Sequence, residues 1–487
     1  MKAFYSAHSS QLIDQYAIQQ LGRPGILLMK QAAFFAFESL QHHFHNPKTI
    51  TVFCGTGNNG GDGFIVAQLA AMAGLQVHIC LIGDVQNIQG DALIAYQELQ
   101  AVGLKTVTFH SDLIQKADVI VDAILGTGLD RPITGSLLDI IEQINQANKA
   151  VLALDIASGL SADTGTVLST AIKATHTCTF ICRKLGVYTY QGPETSGHIH
   201  YSSLFLDKNT LQQQPPVALN HPLKYWLNKL PKPLASHHKG LAGTVCLVGG
   251  NINMMGAIQL AALASLKVGA GLTKVITQPK HTIAITQSLP ELMCYDQTVL
   301  ADQLSLSNTV ALGPGLGTDT WAEQLYHQVL EAPIPKVIDA DALKLLALAP
   351  QKYKNWILTP HPGEAASLLK CTTQEIQTDR VKAIKALHQK YGGVIVLKGN
   401  GSLIFDGKNM ELCLAGNPGM AVGGMGDTLT GAIATFVAQG LSLWEAACLG
   451  VSLHAEAGDI LAQKKGQPGV LPSELASVMS QLLSYHD

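Results

Sequence analysis

Charge is scarce in this chain: Asp, Glu, Lys and Arg make up only 14% of 487 residues, and the formal net charge is -3. No lysine or arginine block occurs, which argues against a nucleic-acid-binding surface. No apolar run is long and clean enough to span a membrane. The most apolar stretch, Met254–Leu272, carries Gln259, Ser265, Lys267 and three glycines, so it reads as a buried helix. Near the start, Gln11, Asp14 and Gln15 break any secretory apolar core, and a cytoplasmic protein is expected. The nine cysteines are scattered from Cys54 to Cys448 without a Cys-x-x-Cys pair, as expected for reduced core thiols rather than a disulfide frame or zinc ribbon. His42, His43 and His45 offer a metal site as one reading, but without a neighbouring carboxylate they read rather as a polar helix end.

What the chain does have is apolar surface to bury. Hydrophobic residues make up 47%, and a chain of this length exceeds one ordinary core, so two or three domains are expected. Strand-like runs alternate with helix-like runs throughout. In the first half the runs are Thr49–Cys54, Val77–Ile82, Val119–Leu125, Val151–Ile156 and Thr177–Cys182, with helical segments such as Gly63–Ala73 and Asp91–Val102 between them. In the second half they are Thr244–Val248, Leu272–Thr277, Thr309–Leu312, Val337–Asp339, Trp356–Leu358 and Val394–Leu397. Such alternation implies parallel sheets covered on both faces, an α/β architecture. The proline- and glutamine-rich stretch Asp207–Lys239 reads as a linker without regular elements, placing a boundary near residue 220 between domains at 1–215 and 216–487.

Three motifs in the first half follow strands. Gly55-Thr-Gly-Asn-Asn-Gly-Gly-Asp-Gly63 fits a dinucleotide fingerprint by its glycines, and Asp84 falls about twenty residues further on, where a ribose-binding acid is expected. Yet two amides and a carboxylate do not suit a polyanionic pyrophosphate. Asp122-Ala-Ile-Leu-Gly-Thr-Gly-Leu129 with Arg131-Pro132, and Asp155-Ile-Ala-Ser-Gly159, complete the set. All three belong at the carboxyl edge of one sheet, where open α/β sheets bind ligands. Turn glycines at Gly126 and Gly128, and a loop-capping Asp155, are the structural alternatives.

The second half carries Lys239-Gly-Leu-Ala-Gly-Thr244, Gly313-Pro-Gly-Leu-Gly317, Asp339-Ala-Asp-Ala-Leu343, Thr359-Pro-His-Pro-Gly-Glu364, Lys398-Gly-Asn-Gly401 and Asn417-Pro-Gly-Met-Ala-Val-Gly-Gly-Met-Gly-Asp427. In the last, Gly423, Gly424 and Gly426 run straight into an apolar helix, Leu429–Val437. Free N–H groups at a helix start attract anions, and an adjacent aspartate can take a proton from a hydroxyl attacking a phosphoryl group. Glu364 reads either as a partner of magnesium-bound water or as a helix cap.

Taken together these motifs resemble, over nearly the whole chain, the bifunctional NAD(P)H-hydrate repair family: a Rossmann-like epimerase domain followed by a ribokinase-like, ADP/ATP-dependent dehydratase domain. The resemblance implies that Asn58, Asn59, Gly60, Gly61 and Asp62, with Gly126, Thr127, Gly128, Leu129, Asp130, Arg131 and Pro132, line the epimerase pocket, and that Asp155 faces the reacting ring. It implies K+ ligands at Asn59, Asp122 and Ser158. It also implies hydrate contacts at Ala257, Gly315, His361 and Asp427, with Asp427 the catalytic base, and nucleotide contacts at Lys398, Gly399, Asn400, Gly401, Ser402 and Gly426. Mg2+ and ADP or ATP would serve the dehydratase. The substrates would be hydrated NADH and NADPH, the S form being dehydrated after the R and S forms interconvert, in a homo-oligomer. Two other readings stand beside it: a vitamin-alcohol kinase fused to a dinucleotide-binding domain, and a first half that serves only as a scaffold.

Overall fold

The computed structural model describes residues 1–232, 239–240 and 242–484. The chain forms two compact units, Ala3–Ala218 and Leu219–Asp487, the second including Met1–Lys2. Among the described residues, no helix is long and apolar enough to cross a membrane.

In the first unit, strands β1 (Thr49–Cys54), β2 (Gln76–Leu81), β3 (Thr106–Val107), β4 (Val119–Ala123), β5 (Ala150–Leu154), β6 (His176–Phe180) and β7 (His198–Ser202) pair in parallel, in the order β3-β2-β1-β4-β5-β6-β7. Alternate side chains enter opposite faces. Val52, Val121 and Leu152 pack under α1 (Gly25–His43) and α2 (Asn58–Met72), whereas Phe53, Ile120 and Ala153 pack under α3 (Ser136–Gln146). This is a three-layer α/β/α unit. The order turns at β1 and β4, and the loops after these strands and β5 open at one carboxyl edge.

The second unit runs β8 (Thr244–Val248), β9 (Leu272–Ile276), β10 (Met293–Tyr295), β11 (Thr309–Leu312), β12 (Lys336–Ile338), β13 (Trp356–Leu358), β14 (Val394–Leu397), β15 (Leu403–Phe405) and β16 (Met410–Leu412), in the order β10-β9-β8-β11-β12-β13-β14-β15-β16. All pairs are parallel up to β14, and the last two strands are antiparallel. On this sheet lie α4 (Met255–Lys267), α5 (Pro362–Leu369), α6 (Arg380–Tyr391), α7 (Met425–Ala438) and α8 (Leu443–Lys465). Nearly every residue of α7 is buried, since it lies between the sheet, α4 and α8.

Two expectations need correction. The stretch Asp207–Lys239 is not free of regular elements: Lys208–Leu211 and Leu223–Leu227 are short helices and Ala218–Asn220 is a strand. Asp207 caps the first by accepting from the Thr210 N–H at 2.8 Å, and Leu223, Trp226 and Leu227 are buried, so apolar anchoring overrides the prolines. Part of the Lys239–Thr244 motif, Leu241, lies outside the described residues. The helix expected from Gly63 begins at Asn58, so the Asn-Asn-Gly-Gly-Asp motif is its first turns and not a loop.

Helices α7 and α4 pack tightly at Gly431 of α7, where a Cβ would stand 2.0 Å from the Ala261 carbonyl oxygen of α4. Gly431→Ala should therefore destabilise the second unit by about 1–3 kcal/mol through overpacking, despite the preference of about 1 kcal/mol for alanine in helices. Urea unfolding midpoints check this; a more stable variant would show that the helices do not touch there.

Candidate functional site

In the first unit a cavity of ≈ 730 Å³ opens at the carboxyl edge of the sheet. Asn58, Asn59, Asp62, Asp155 and all of Gly126–Pro132 line it. Gly60 and Gly61 do not. A Cβ at Gly60 would stand 1.9 Å from the Gly55 carbonyl oxygen, and one at Gly61 would strike Met29 Sδ at 2.7 Å. These glycines let α2 start hard against its own loop and against α1. The fingerprint reading fails at Asp84, which is spent locally, accepting from the Gln86 N–H at 2.9 Å.

Asp155 sits just past β5 with φ +65°, a left-handed conformation that costs a non-glycine residue and points to an imposed geometry. Its Oδ1 is gripped by the ammonium of buried Lys184, which also donates to the Phe180 carbonyl at 2.7 Å. Lys184 carried no motif in the sequence; only folding brings it to Asp155 from 29 residues away. Across the cavity, burial pushes the Asp62 carboxyl well above the usual range, and the charges of Asp155 and Asp14 raise it further. The Lys184 charge opposes this rise.

Asn59 and Asp155 both lie beside Gly126, where a Cβ would be 3.4 Å from Asn59 Cβ and 3.7 Å from Asp155 Oδ2. Neither Oδ1 nor Nδ2 of buried Asn59 has a hydrogen-bond partner. Asp122 is fully buried. It accepts from Ser158 Oγ at 2.6 Å, the Ser158 N–H at 2.8 Å and the Ile124 N–H at 3.2 Å. Burial still pushes its carboxyl up to about 6, although these bonds oppose it. Among the described residues it has no cationic partner.

The second unit gathers its motifs around one buried ion pair. Asp339, at the end of β12, meets Lys398, at the end of β14, at 2.9 Å, and accepts from Thr430 Oγ1 of α7 at 2.7 Å. Burial alone would raise Asp339, but Lys398, Thr430 and Thr359 reverse this and hold it below the ordinary carboxylate range. Lys398 also faces Glu364 at 3.8 Å. The Lys398–Ser402 loop is held from beneath by buried Arg380 of α6. Its guanidinium donates to the Leu397 carbonyl at 3.1 Å and the Gly401 carbonyl at 3.2 Å, and a Cβ at Gly399 would strike it at 2.7 Å. Gly399 and Asn400 are thereby left on the surface. Neither Arg380 nor Asp339 was expected as a site residue. Asp339 at least stood in a quoted motif after a strand; Arg380 left no local signal.

His361 caps α5. Its Nδ1 accepts the Gly363 and Glu364 N–H groups at 3.0 and 3.3 Å, while Glu364 Oε2 accepts the His361 N–H at 2.8 Å. This capping box settles the local role of Glu364 as a cap. Burial, then the Lys398 charge, lowers the His361 imidazole, so it is neutral above its ordinary range.

Helix α7 begins after Gly424 at φ +99°. Gly426 is in its first turn; a Cβ there would lie 3.2 Å from Lys398 Nζ and 3.4 Å from Asp339 Oδ2. The next residue, Asp427, is partly buried. Burial and the Asp339 charge push its carboxyl up to about 7, with Lys398 opposing. Gly315, at φ +58°, approaches Ala257: a Cβ there would be 3.1 Å from Ala257 Cβ. Gly317 N–H donates to Asp341 at 2.8 Å, and Asp341 adds to the field on Asp427.

The second unit is a ribokinase-like α/β/α domain with a carboxylate at an anion-attracting helix start, and the first is a Rossmann-like pocket domain. Residues 245–481 match the family described as NAD(P)H-hydrate dehydratase, and residues 26–186 match the YjeF-related protein N-terminus. The bifunctional NAD(P)H-hydrate repair enzyme Nnr of Coxiella burnetii is 42% identical over 98% of this chain and 98% of its own; that of Escherichia coli K12 is 36% identical over 97% and 92%. An ADP/ATP-dependent NAD(P)H-hydrate dehydratase from Bacillus subtilis, co-crystallised with ATP and Mg2+, superposes with TM-score 0.50 at 29% identity, over 55% of this chain and 100% of that one. The chain belongs to the bifunctional NAD(P)H-hydrate repair enzymes.

Removing one member of a buried ion pair strands the other charge. Lys398→Met should cost the second unit about 3–5 kcal/mol. Adding Asp339→Asn to that variant should restore part of the loss. Paired denaturant titrations of the single and double variants check the coupling, and additive losses would show that the two groups do not interact.

Proposed function

We propose that this enzyme restores hydrated NADH and NADPH: residues 1–215 interconvert the R and S hydrates, and residues 216–487 dehydrate the S form with ADP or ATP. The observation that carries the reading is the position of Asp427, in the first turn of α7 beside Gly426 and the Asp339–Lys398 pair, with a carboxyl titrating at about 7. A base with a pKa near the working pH is best suited to take a proton in a transition state.

Hydroxide is a poor leaving group. Phosphoryl transfer to the hydrate hydroxyl, with Asp427 taking its proton, turns it into phosphate; the ring-nitrogen lone pair expels that phosphate to leave an iminium, and loss of a proton from the adjacent ring carbon restores the dihydropyridine. Nucleotide is consumed as a reagent and leaves as the shortened nucleotide plus free phosphate. Because Lys398 is tied inward to Asp339, nucleotide recognition falls mainly to the exposed Gly399–Asn400 backbone, to Ser402 and to the α7 start at Gly426. His361, Gly315 and Ala257 face the hydrated ring. Asp339 and Asp341, whose charges reach Asp427, would hold Mg2+ through its waters, since it keeps most of them and takes few carboxylates. When bound it neutralises charge between the phosphates.

In the first unit, Asp155 and Asp62, whose carboxyl burial pushes well above its usual range, face one cavity. Asp155, oriented by Lys184, takes the proton of the hydrate hydroxyl and passes it to the ring nitrogen as the bond between that nitrogen and the hydroxyl-bearing carbon opens; the reverse transfer closes the ring on the other face. The pocket loop Gly126–Pro132 and Asn58 hold the ring and its amide. K+ fits Asn59, Asp122 and Ser158: an unpartnered buried amide beside a buried carboxylate without a cation suits a hard, weakly held ion. Bound there, it supplies the missing positive charge. The nine free thiols are consistent with action in a reducing cytoplasm.

Asp427→Asn should lower ATP-dependent recovery of NADH from its hydrate by on the order of 10²–10⁴-fold while leaving epimerisation intact. In the parent enzyme kcat/KM should fall as pH drops through about 7, as Asp427 gains its proton, and that limb should vanish in the variant. Near-normal recovery by the variant, or an unchanged acid limb, would remove Asp427 from the mechanism. A stable phosphate ester in place of NADH and phosphate would identify a kinase.

The Asp122 carboxyl binds its proton more tightly folded than unfolded, so its stabilising effect is present below pH 4 and lost as pH rises through about 6. Potassium at that site offsets the loss. KCl should therefore raise the melting temperature of the first unit over choline chloride of equal strength at pH 8, and by much less at pH 5. Equal effects of both salts would exclude the site, and Asn59→Ala should abolish the difference.

A further inference from the structure

Far from the cavity mouth, the fold assembles histidines that lie apart in sequence. His43 is the last residue of α1, His176 the first of β6, and His198 and His200 stand on β7, with His176 paired to His198 in register. The His43 ring stacks on His176 at 4.9 Å and on His200 at 4.2 Å, with interplanar angles of 17° and 21°. His176 Nδ1 and His200 Nε2 are 2.9 Å apart. One ring nitrogen from each of His43, His176 and His200 lies within 4.8 Å of the others.

The expectation of a polar helix end at His42, His43 and His45 holds for α1, which stops at His43, but it misses the two imidazoles brought in by the sheet edge. Among the described residues no carboxylate pairs with any of the three. The 2.9 Å contact already sets a ring nitrogen of His176 against one of His200, and one shared metal ion would engage both in place of the proton between them. Tetrahedral zinc with bonds of about 2.0–2.1 Å to nitrogen sets its ligand atoms roughly 3.3–3.4 Å apart. The His176–His200 contact is close to this already, and exposed His43 has room to close the third side.

We propose that His43, His176 and His200 bind one borderline divalent transition-metal ion of the zinc class, with water completing its coordination. The site is separate from the catalytic pocket. β6 and β7 are parallel, the histidines stand at or near their amino ends, and none of the three lines the cavity, which opens beyond the carboxyl ends. A metal there links the end of α1 to edge strand β7. Since α1 also carries Leu28, Met29 and Ala32 to the cavity wall, the link would hold that wall in place.

The test is calorimetric titration of the metal-stripped full-length protein with ZnCl2 at pH 7.5, repeated with CoCl2 to read the visible absorption of the bound ion. The parent protein should bind one equivalent of zinc in a saturable step and melt at a higher temperature with it. His43→Ala, at an exposed helix end where folding is not at stake, and His200→Gln should each weaken that step on the order of 100-fold, because each removes one of three ligands. His45→Ala should leave it intact. No saturable step in the parent, or an undiminished one in His43→Ala and His200→Gln, would overturn the proposal by showing that zinc binds nowhere specific or elsewhere among the 18 histidines.

Discussion

The contact between Lys398 and Asp339 joins four segments that have no other reason to meet at one point. Asp339 ends β12, Lys398 ends β14, Thr430 reaches down from α7, and Glu364 approaches from the cap of α5. A carboxylate buried this deeply cannot stay charged without such partners, and a lysine here cannot stay charged without the aspartate. Once the pair forms, the strand ends are pinned, the start of α7 is drawn over them, and Asp427 is left in a field that is mostly negative. That field, added to burial, lifts its carboxyl to about 7. The reactivity of one aspartate is thus a consequence of the pairing of another.

The first unit solves a related problem differently. Asp155 has its cation in Lys184, so its orientation is fixed even at a costly left-handed backbone angle. Asp122 has only hydrogen-bond donors, and Asn59 has no partner at all. One carboxylate is satisfied by the chain, and the other leaves a deficit of positive charge that suits a bound monovalent ion. Asp62 is pushed well above its usual range by burial and by the Asp155 and Asp14 charges, which the Lys184 charge opposes. Burial with three different sets of partners yields three different acid–base characters on one sheet edge.

Packing glycines and capping residues do the remaining positioning. Gly60 and Gly61 bring α2 against its own loop and α1 so that Asn58, Asn59 and Asp62 reach the cavity, although they do not line it themselves. Arg380 performs the equivalent task in the second unit by occupying the carbonyls beneath the Lys398–Ser402 loop, which turns the backbone of Gly399 and Asn400 outward. In both units the residues proposed to touch ligand depend on residues that do not.

Much was legible from local pattern alone. Strands such as Thr49–Cys54, Thr244–Val248 and Val394–Leu397 have the bounds expected, because fully buried parallel strands are short apolar runs and need no tertiary information to be seen. Asn58–Asp62 after Thr49–Cys54 and Gly126–Pro132 after Val119–Ala123 were legible for the same reason, a loop after a parallel strand opening at the carboxyl edge, whereas Gly426–Asp427 was legible as a glycine turn running into an apolar helix. Lys184, Arg380 and the His43–His176–His200 cluster were not. Each acts through a partner distant along the chain, and a lysine, an arginine or a histidine reads the same in sequence whether it faces water or a buried acceptor. Local propensity and periodicity determined which elements form and where their loops emerge. Only the packed structure decided which charges meet, because electrostatic pairing depends on distance in space and on the exclusion of water, neither of which is written in any one stretch of the chain.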